Sequence, residues 1–310
     1  MESMNENAGA VLQESRVVIY LSVAAKIVVY VFLILGFAAA FAFLAGDLLA
    51  LVPALAQNGA LELIVQESCF LAGVLVAAFI LLRWWDRLPF SDLGLSVKGR
   101  LKDFLWGTFV AFALYGIGFG VLYLSGEIKI TGVQWDGANL LLMWIFMLLV
   151  AVTEETALRG FVLGRLLNAG VNRFMALFIS AALFSLLHIF NPNFSLIAFL
   201  NILLAGLMLG ASYIYTRNLW FPIALHLFWN WLQGPVLGFE VSGGQFGNTL
   251  LSLELPEKNI INGGAFGFEG SVVCTALMII MTVIILKSAS RQSSCDPCPH
   301  SAPEPGHAGE

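Results

Sequence analysis

Runs of about 20 predominantly apolar residues recur along the chain, and each is long enough to cross the hydrocarbon core of a bilayer. The composition agrees, because 59% of the 310 residues are hydrophobic and only 11% are charged. Soluble domains carry about 25% charged residues, so an ordinary soluble protein is excluded. In lipid, a helix satisfies all of its own backbone polar groups, so we predict an all-α polytopic membrane protein with about eight transmembrane helices.

The apolar runs divide the chain into three parts. A polar N-terminus and interfacial lead-in covers 1–26, the transmembrane domain covers 27–287, and a disordered tail is expected over 288–310. The predicted spans are 27–46, 61–82, 104–124, 138–167, 174–190, 196–215, 219–234 and 271–286. The tail contains Cys295 and Cys298, and its composition of Ser, Pro, Gly and His favours disorder over a metal or redox site.

Lysine and arginine are concentrated in alternate connections between the spans. The most basic connection, 83–102, contains Arg83, Arg87, Lys98, Arg100 and Lys102. Because basic loops stay on the cytoplasmic side, this pattern predicts that both termini are cytoplasmic. A basic stripe with interleaved aromatic residues is missing from the sequence, so the expected surroundings are the lipid bilayer and no nucleic-acid partner is predicted.

Two adjacent carboxylates and an arginine interrupt the fourth apolar run, as Glu154, Glu155 and Arg159. Ionisable residues at membrane depth are rare, face the bundle interior and usually mark function. On a helix, Glu155 and Arg159 are spaced i, i+4 and can pair on one face. Glu154 points about 100° away, so we predict that it is left without that partner.

Only two histidines lie within the predicted spans, and each has a polar or aromatic companion one turn away. His226 is followed by Asn230, and His188 is preceded by Phe184. A neutral imidazole can orient a water molecule or accept a proton, and an amide can donate to a developing oxyanion. Together with Glu154 these groups predict a water-activating hydrolase site inside the helix bundle.

Other interpretations of the same residues remain open. Each histidine, like Asn230, can serve only as a hydrogen-bonded contact between helices, which describes a non-catalytic scaffold or regulator. A proton-coupled transporter using Glu154 is the third alternative, although the chain shows no internal repeat of the kind found in many transporters.

Three motifs in order, Glu154-Glu155-x-x-x-Arg159, Phe184-x-x-x-His188 and His226-x-x-x-Asn230, resemble those of the CPBP family. These are the intramembrane CAAX-processing and bacteriocin-processing enzymes, also called Abi proteins. The similar helical layout covers about 90–287, and parts of the late loop, 238–243 and 264–271, also resemble bacterial members. The resemblance implies proteolysis of a peptide or protein substrate at the membrane, with prenylated proteins as one class. It also implies a bacterial inner-membrane location.

The resemblance also implies roles for the motif residues. Glu154 activates water, His188 and His226 line the site, and Asn230 donates to the oxyanion. Glu155, Arg159 and Phe184 would support these residues without reacting.

Two chemistries stay open at this stage. Glu154, His188 and His226 could hold a divalent metal such as zinc, as in a metalloprotease, or Glu154 could activate water without a metal. In either case a single site requires the Glu154 carboxylate to lie within about 6 Å of both imidazole rings, since a hydrogen bond or one bridging water spans no more.

Overall fold

The computed structural model describes residues 2–51, 59–245 and 247–295. Eight α-helices dominate this part of the chain and are numbered here in order. They are α1 Glu2–Leu51, α2 Gly59–Ile80, α3 Leu101–Leu124, α4 Gly137–Asn168, α5 Arg173–Leu187, α6 Leu196–Thr216, α7 Trp220–Trp231 and α8 Val272–Cys295.

Six of these helices are long and apolar enough to cross a membrane, which confirms an all-α polytopic membrane protein. The predicted fifth and seventh spans have short α-helical parts, because α5 has 15 residues and α7 has 12 before it continues as a π-helical stretch, Leu232–Val236. At 1.5 Å per residue they cover about 22 and 18 Å of a hydrocarbon core that is about 30 Å thick. A count of eight crossing helices is therefore not confirmed.

Within the described residues, helix extends beyond both predicted boundaries of the transmembrane domain. Helix α1 begins at Glu2, within the stretch expected to be a polar lead-in, and its apolar part covers Arg16–Gly46. Helix α8 runs to Cys295, eight residues beyond the expected boundary at 287. The rest of the predicted disordered tail, including Cys298, lies outside the described residues.

Helix α4 changes its winding directly after the two glutamates. It starts at a cap in which the Asp136 carboxylate accepts the backbone N–H of Asn139 at 3.0 Å. The chain is α-helical to Glu155 and then π-helical over Thr156–Leu163, where every residue is buried. π-Helical turns are rare and occur frequently at functional sites, and no feature of the sequence predicted this one.

Helix α7 is the innermost helix, packed between α3, α4 and α6. Most of its 12 residues are buried, which suits a helix that is apolar on all sides. Its approach to α3 depends on Gly107, where an added Cβ would lie 2.4 Å from the carbonyl oxygen of Phe221. The absence of a side chain at Gly107 thus sets the position of α7.

The two ends of the bundle are closed differently. At the end where α3 begins, Arg165 near the end of α4 pairs with both Asp86 and Asp92, and Lys26 of α1 pairs with Asp86. At the opposite end, strands β1 (Lys129–Val133) and β2 (Leu251–Glu254) form an antiparallel pair. Neither strand was predicted from the sequence.

We expect Gly107→Ala to lower the free energy of unfolding by about 1–3 kcal/mol, the usual cost of overpacking. The added methyl group would force α7 away from α3, which can be measured as a lower thermal midpoint in detergent. Gly116→Ala on the same helix is the control, because nothing lies within 4 Å of its added Cβ. An equal fall in both variants would contradict the role of this close approach.

Candidate active site

The predicted pair of Glu155 and Arg159 forms and is completely buried. The Arg159 Nη1 atom donates to Glu155 Oε1 at 2.8 Å, and both side chains are 0% exposed. Arg159 Nη2 also donates to the carbonyl oxygen of Gly206 on α6 at 3.2 Å. Its guanidinium lies 4.4 Å from the centre of the Phe184 ring, a cation–π distance. One arginine thus connects α4, α5 and α6.

Glu155 has a second partner that the sequence spacing did not reveal. Its Oε1 atom lies 2.9 Å from Nδ1 of His226 on α7. Because a carboxylate only accepts, Nδ1 of His226 carries the proton of this bond, and Nε2 is directed away from Glu155. The pairing joins residues 71 apart in sequence, so only the tertiary structure could show it.

Glu154 points away from this pair, as helical geometry predicted. Its Oε2 atom has no hydrogen-bond partner among the described residues, and the side chain is 29% exposed. Oε2 lies 3.8 Å from Nε2 of His226, too far for a direct hydrogen bond. A water molecule bonded to both atoms fits between groups at this separation.

His188 lies one residue beyond the end of α5 and not inside a helix as expected. Its Nδ1 atom lies 2.7 Å from the carbonyl oxygen of Phe184, an acceptor, so Nδ1 donates and Nε2 is free. The Phe184 ring lies 4.6 Å from the His188 ring and 6.2 Å from the His226 ring. Phe184 therefore packs against both imidazoles and the Arg159 guanidinium.

Asn230 follows His226 by one turn of α7 and is 7% exposed. Within the described part of the chain its amide has no hydrogen-bond partner, and it lines the same cavity as Glu154, His188 and His226. That cavity has a volume of about 680 Å³ and is otherwise mostly apolar. An amide in this position is free to donate to a bound group.

The structure thus brings the four candidate residues to one cavity. The Glu154 carboxylate meets the expected distance to the His226 ring, and His188 lies on the same cavity wall. One site for these residues requires the chain after Arg159 to continue inside the bundle. It does so, because the π-helical stretch from Thr156 to Leu163 is buried.

The proposed metal ligands do not fit a zinc site. A catalytic zinc needs three protein ligands within about 2.3 Å of one point. Among residues 59–245 and 247–295, no three His, Cys, Asp or Glu side chains come together in this way. Glu154 and His226 converge, but His188 does not complete the set, so no step below is derived through a metal.

A second carboxylate at the cavity, that of Glu269, was not predicted from the sequence. It lies in a short 3₁₀ turn, Phe268–Gly270, and is 4% exposed. The stretch 264–271 was singled out only as a resemblance, and a glutamate in a glycine-rich loop gives no further signal of burial.

A polar site is enclosed in the membrane helix bundle. It consists of the unpaired carboxylate of Glu154, the oriented imidazole of His226 and the free amide of Asn230. Residues 136–232, which contain all three motifs, match the family described as type II CAAX prenyl endopeptidase Rce1-like. This match supports the resemblance to the CPBP family of CAAX proteases that the motifs predicted. Comparisons with curated proteins and with solved structures gave no match.

We expect Arg159→Met to destabilise the protein by about 3–5 kcal/mol, because it leaves the buried Glu155 carboxylate without its cation. The measurement is the thermal midpoint of the purified protein in detergent. Arg100→Met removes an exposed pair with Asp103, whose side chains are 38% and 33% exposed, and should cost at most about 1 kcal/mol. An equal loss of stability in both variants would show that the buried pair contributes no more than the exposed pair.

Proposed function

We propose that the protein is an intramembrane endopeptidase in which Glu154 activates water. The observation that carries this proposal is the unpaired Glu154 carboxylate, which faces Nε2 of His226 across a gap of 3.8 Å at the wall of a largely apolar cavity. A carboxylate used only for structure would have a bonding partner, as Glu155 does. The family match supports the same reaction class.

The reaction then follows from the positions of the protein's own groups. Glu154 accepts a proton from water, and the hydroxide formed attacks the carbonyl carbon of the peptide bond. The resulting oxyanion accepts a hydrogen bond from the Asn230 amide. Glu154 returns the proton to the nitrogen of the leaving amine as the C–N bond breaks. Water is consumed, and a carboxyl group and an amine are formed.

The two histidines have different partners and therefore different roles. Glu155 holds His226 with Nε2 directed at the water position, so His226 orients the water without needing to change its tautomer. His188 is held by the carbonyl oxygen of Phe184, and its free Nε2 contributes a second polar group at the cavity wall. Arg159 and Phe184 support these side chains without touching the reacting atoms.

The apolar cavity favours a substrate segment or lipid-modified residue with apolar surface. The family description names a CAAX prenyl endopeptidase, so a prenylated CAAX-type protein is the first candidate substrate. Other membrane-associated peptides are the second. We also propose a bacterial inner-membrane location, on the basis of the resemblance to bacterial members of the family. The basic connection 83–102 supports both termini in the cytoplasm.

The test is cleavage of a quenched fluorescent CAAX peptide, with and without a farnesyl group, by wild-type protein in proteoliposomes. Glu154→Gln keeps the shape of the side chain but removes its ability to accept the proton, so we expect kcat to fall by about 10²–10⁴-fold. Cleavage of only the farnesylated peptide would favour the prenylated class.

Glu62→Gln is the matched control, because Glu62 is an exposed carboxylate bonded only to Gln66 among the described residues. We expect it to leave kcat unchanged. Turnover by Glu154→Gln at the wild-type rate would rule out Glu154 as the base. A wild-type protein that cleaves neither peptide, but loses stability on His188→Ala or Asn230→Ala, would favour the scaffold interpretation.

A further inference from the structure

The Glu269 carboxylate receives three hydrogen bonds from two separate parts of the cavity wall. Trp229 Nε1 on α7 donates to Oε1 at 3.0 Å. The backbone N–H and the hydroxyl of Ser242 donate to Oε2 at 2.9 and 2.7 Å. All three residues line the cavity that contains Glu154, but none of the three motifs includes Glu269.

On one side, the bond from Trp229 to Glu269 fixes the orientation of α7, the helix that carries the Asn230 amide. Trp229 immediately precedes Asn230 and is 4% exposed. Its ring also packs 4.8 Å from that of Tyr115 on α3. Rotation of α7 about its axis would break the bond to Glu269, so this bond holds the direction in which Asn230 faces the cavity.

On the other side, Glu269 reaches the segment that follows His188. The carbonyl oxygen of Ser242 accepts a hydrogen bond from Asn191 Nδ2 at 3.2 Å. The next residue, Gly243, has φ +82 and lies so close to Pro192 that an added Cβ would be 1.9 Å from the Pro192 carbonyl oxygen. Asn191 is in turn bonded through its backbone N–H to the carbonyl oxygen of His188 at 3.0 Å.

Glu269 itself is held in place by α6. Asn201, which is 0% exposed, donates through Nδ2 to the carbonyl oxygens of Glu269 at 2.7 Å and Ser271 at 2.9 Å. The side chain is therefore presented from an anchored turn. A carboxylate is required because only its two oxygens can accept from both sides at once, whereas a glutamine would place an N–H₂ group against one donor.

We propose that Glu269 is a positioning residue that couples the His188 segment to the face of α7 carrying His226 and Asn230. The proposal rests on the endopeptidase function proposed above. It assigns Glu269 no contact with the substrate or the reacting atoms. Its effect is to keep the two walls of the site at a fixed separation, so that the water-activating and oxyanion-binding groups act on the same carbonyl group.

The test compares Glu269→Gln with Glu127→Gln in the same proteoliposomes. Glu127 is a matched control because its carboxylate also anchors the late loop, by accepting from Asn259 Nδ2 at 2.8 Å and Asn262 Nδ2 at 3.2 Å, but it does not line the cavity. Two readouts are taken: kcat and KM with the CAAX peptide, and amide hydrogen exchange of the whole protein.

We expect Glu269→Gln to lower kcat by about 10- to 100-fold, the effect of misplacing catalytic groups by about an ångström. We expect KM to stay nearly constant. Exchange should rise at 188–193 and 239–244 and stay unchanged elsewhere. Glu127→Gln should increase exchange only around 257–263 and leave kcat at the wild-type value.

A double-mutant comparison tests whether the loss of kcat in Glu269→Gln acts through Trp229. In a Trp229→Phe background, which lacks the indole N–H, Glu269→Gln should cost clearly less than in the wild-type background, because one of its bonds is already missing. Fully additive losses would overturn the coupling through Trp229.

The outcomes separate this proposal from the function on which it rests. Unchanged kcat in Glu269→Gln, or a loss that parallels a global rise in exchange, would overturn the positioning role. If wild-type protein shows no cleavage that depends on Glu154, the endopeptidase function falls. In that case hydrogen exchange alone tests the coupling by Glu269. A rise at both 188–193 and 239–244 in Glu269→Gln supports the coupling, and no change overturns it.

Discussion

The site depends on one carboxylate oxygen, Oε1 of Glu155, which binds both Arg159 and His226. A buried ion pair gains little net stability over apolar packing, but the loss of either partner is costly. The function of the pair here is to orient the His226 imidazole. Arg159 holds the carboxylate from its own helix, and the carboxylate then holds an imidazole from α7. The unpaired neighbour Glu154 consequently faces a histidine whose protonated nitrogen is already determined.

Much of this site followed from local geometry, because the information was contained within single helical turns. The i, i+4 spacing of Glu155 and Arg159 predicted their pairing, and the 100° rotation between adjacent residues predicted that Glu154 is left free. The same spacing put His226 and Asn230 on one face. The family resemblance added an order and a reaction to residues that had been identified on physical grounds.

The remaining features are long-range or depend on small differences in backbone energy. The bond between Glu155 and His226, and the carboxylate of Glu269, join segments that no local pattern connects. The π-helical stretch after Glu155 has an ordinary apolar composition, so periodicity did not distinguish it from α-helix. The predicted end of the fifth span was too late because the apolar residues Ile189 and Phe190 continue beyond α5, where both are exposed. The predicted end of the seventh span, at 234, lies within the π-helical stretch Leu232–Val236 that continues α7.

Irregular backbone at membrane depth is tolerated where it is buried in protein or lines a cavity. Asn191 and Ser242, in the segments after α5 and α7, line the cavity, and Asn191 donates a hydrogen bond to the carbonyl oxygen of Ser242. Short helices thus leave room for loops within the bundle. These loops supply Ser242 and Glu269 to the cavity, which unbroken helices could not do.

The winding of α4 has a consequence for how this chain can change over time. A π-helical turn holds about one more residue than an α-helical turn, so loss of one residue from it can be absorbed by rewinding to α-helix, whereas loss of one residue from an α-helix rotates everything beyond it by about 100°. Arg165 lies just beyond the stretch and is held by Asp86 and Asp92, while Glu154 and Glu155 lie just before it. Such rewinding would keep both ends in register but would move Arg159, which lies within the stretch and is bonded to Glu155 and Gly206. The winding of this stretch is therefore constrained by the arginine inside it.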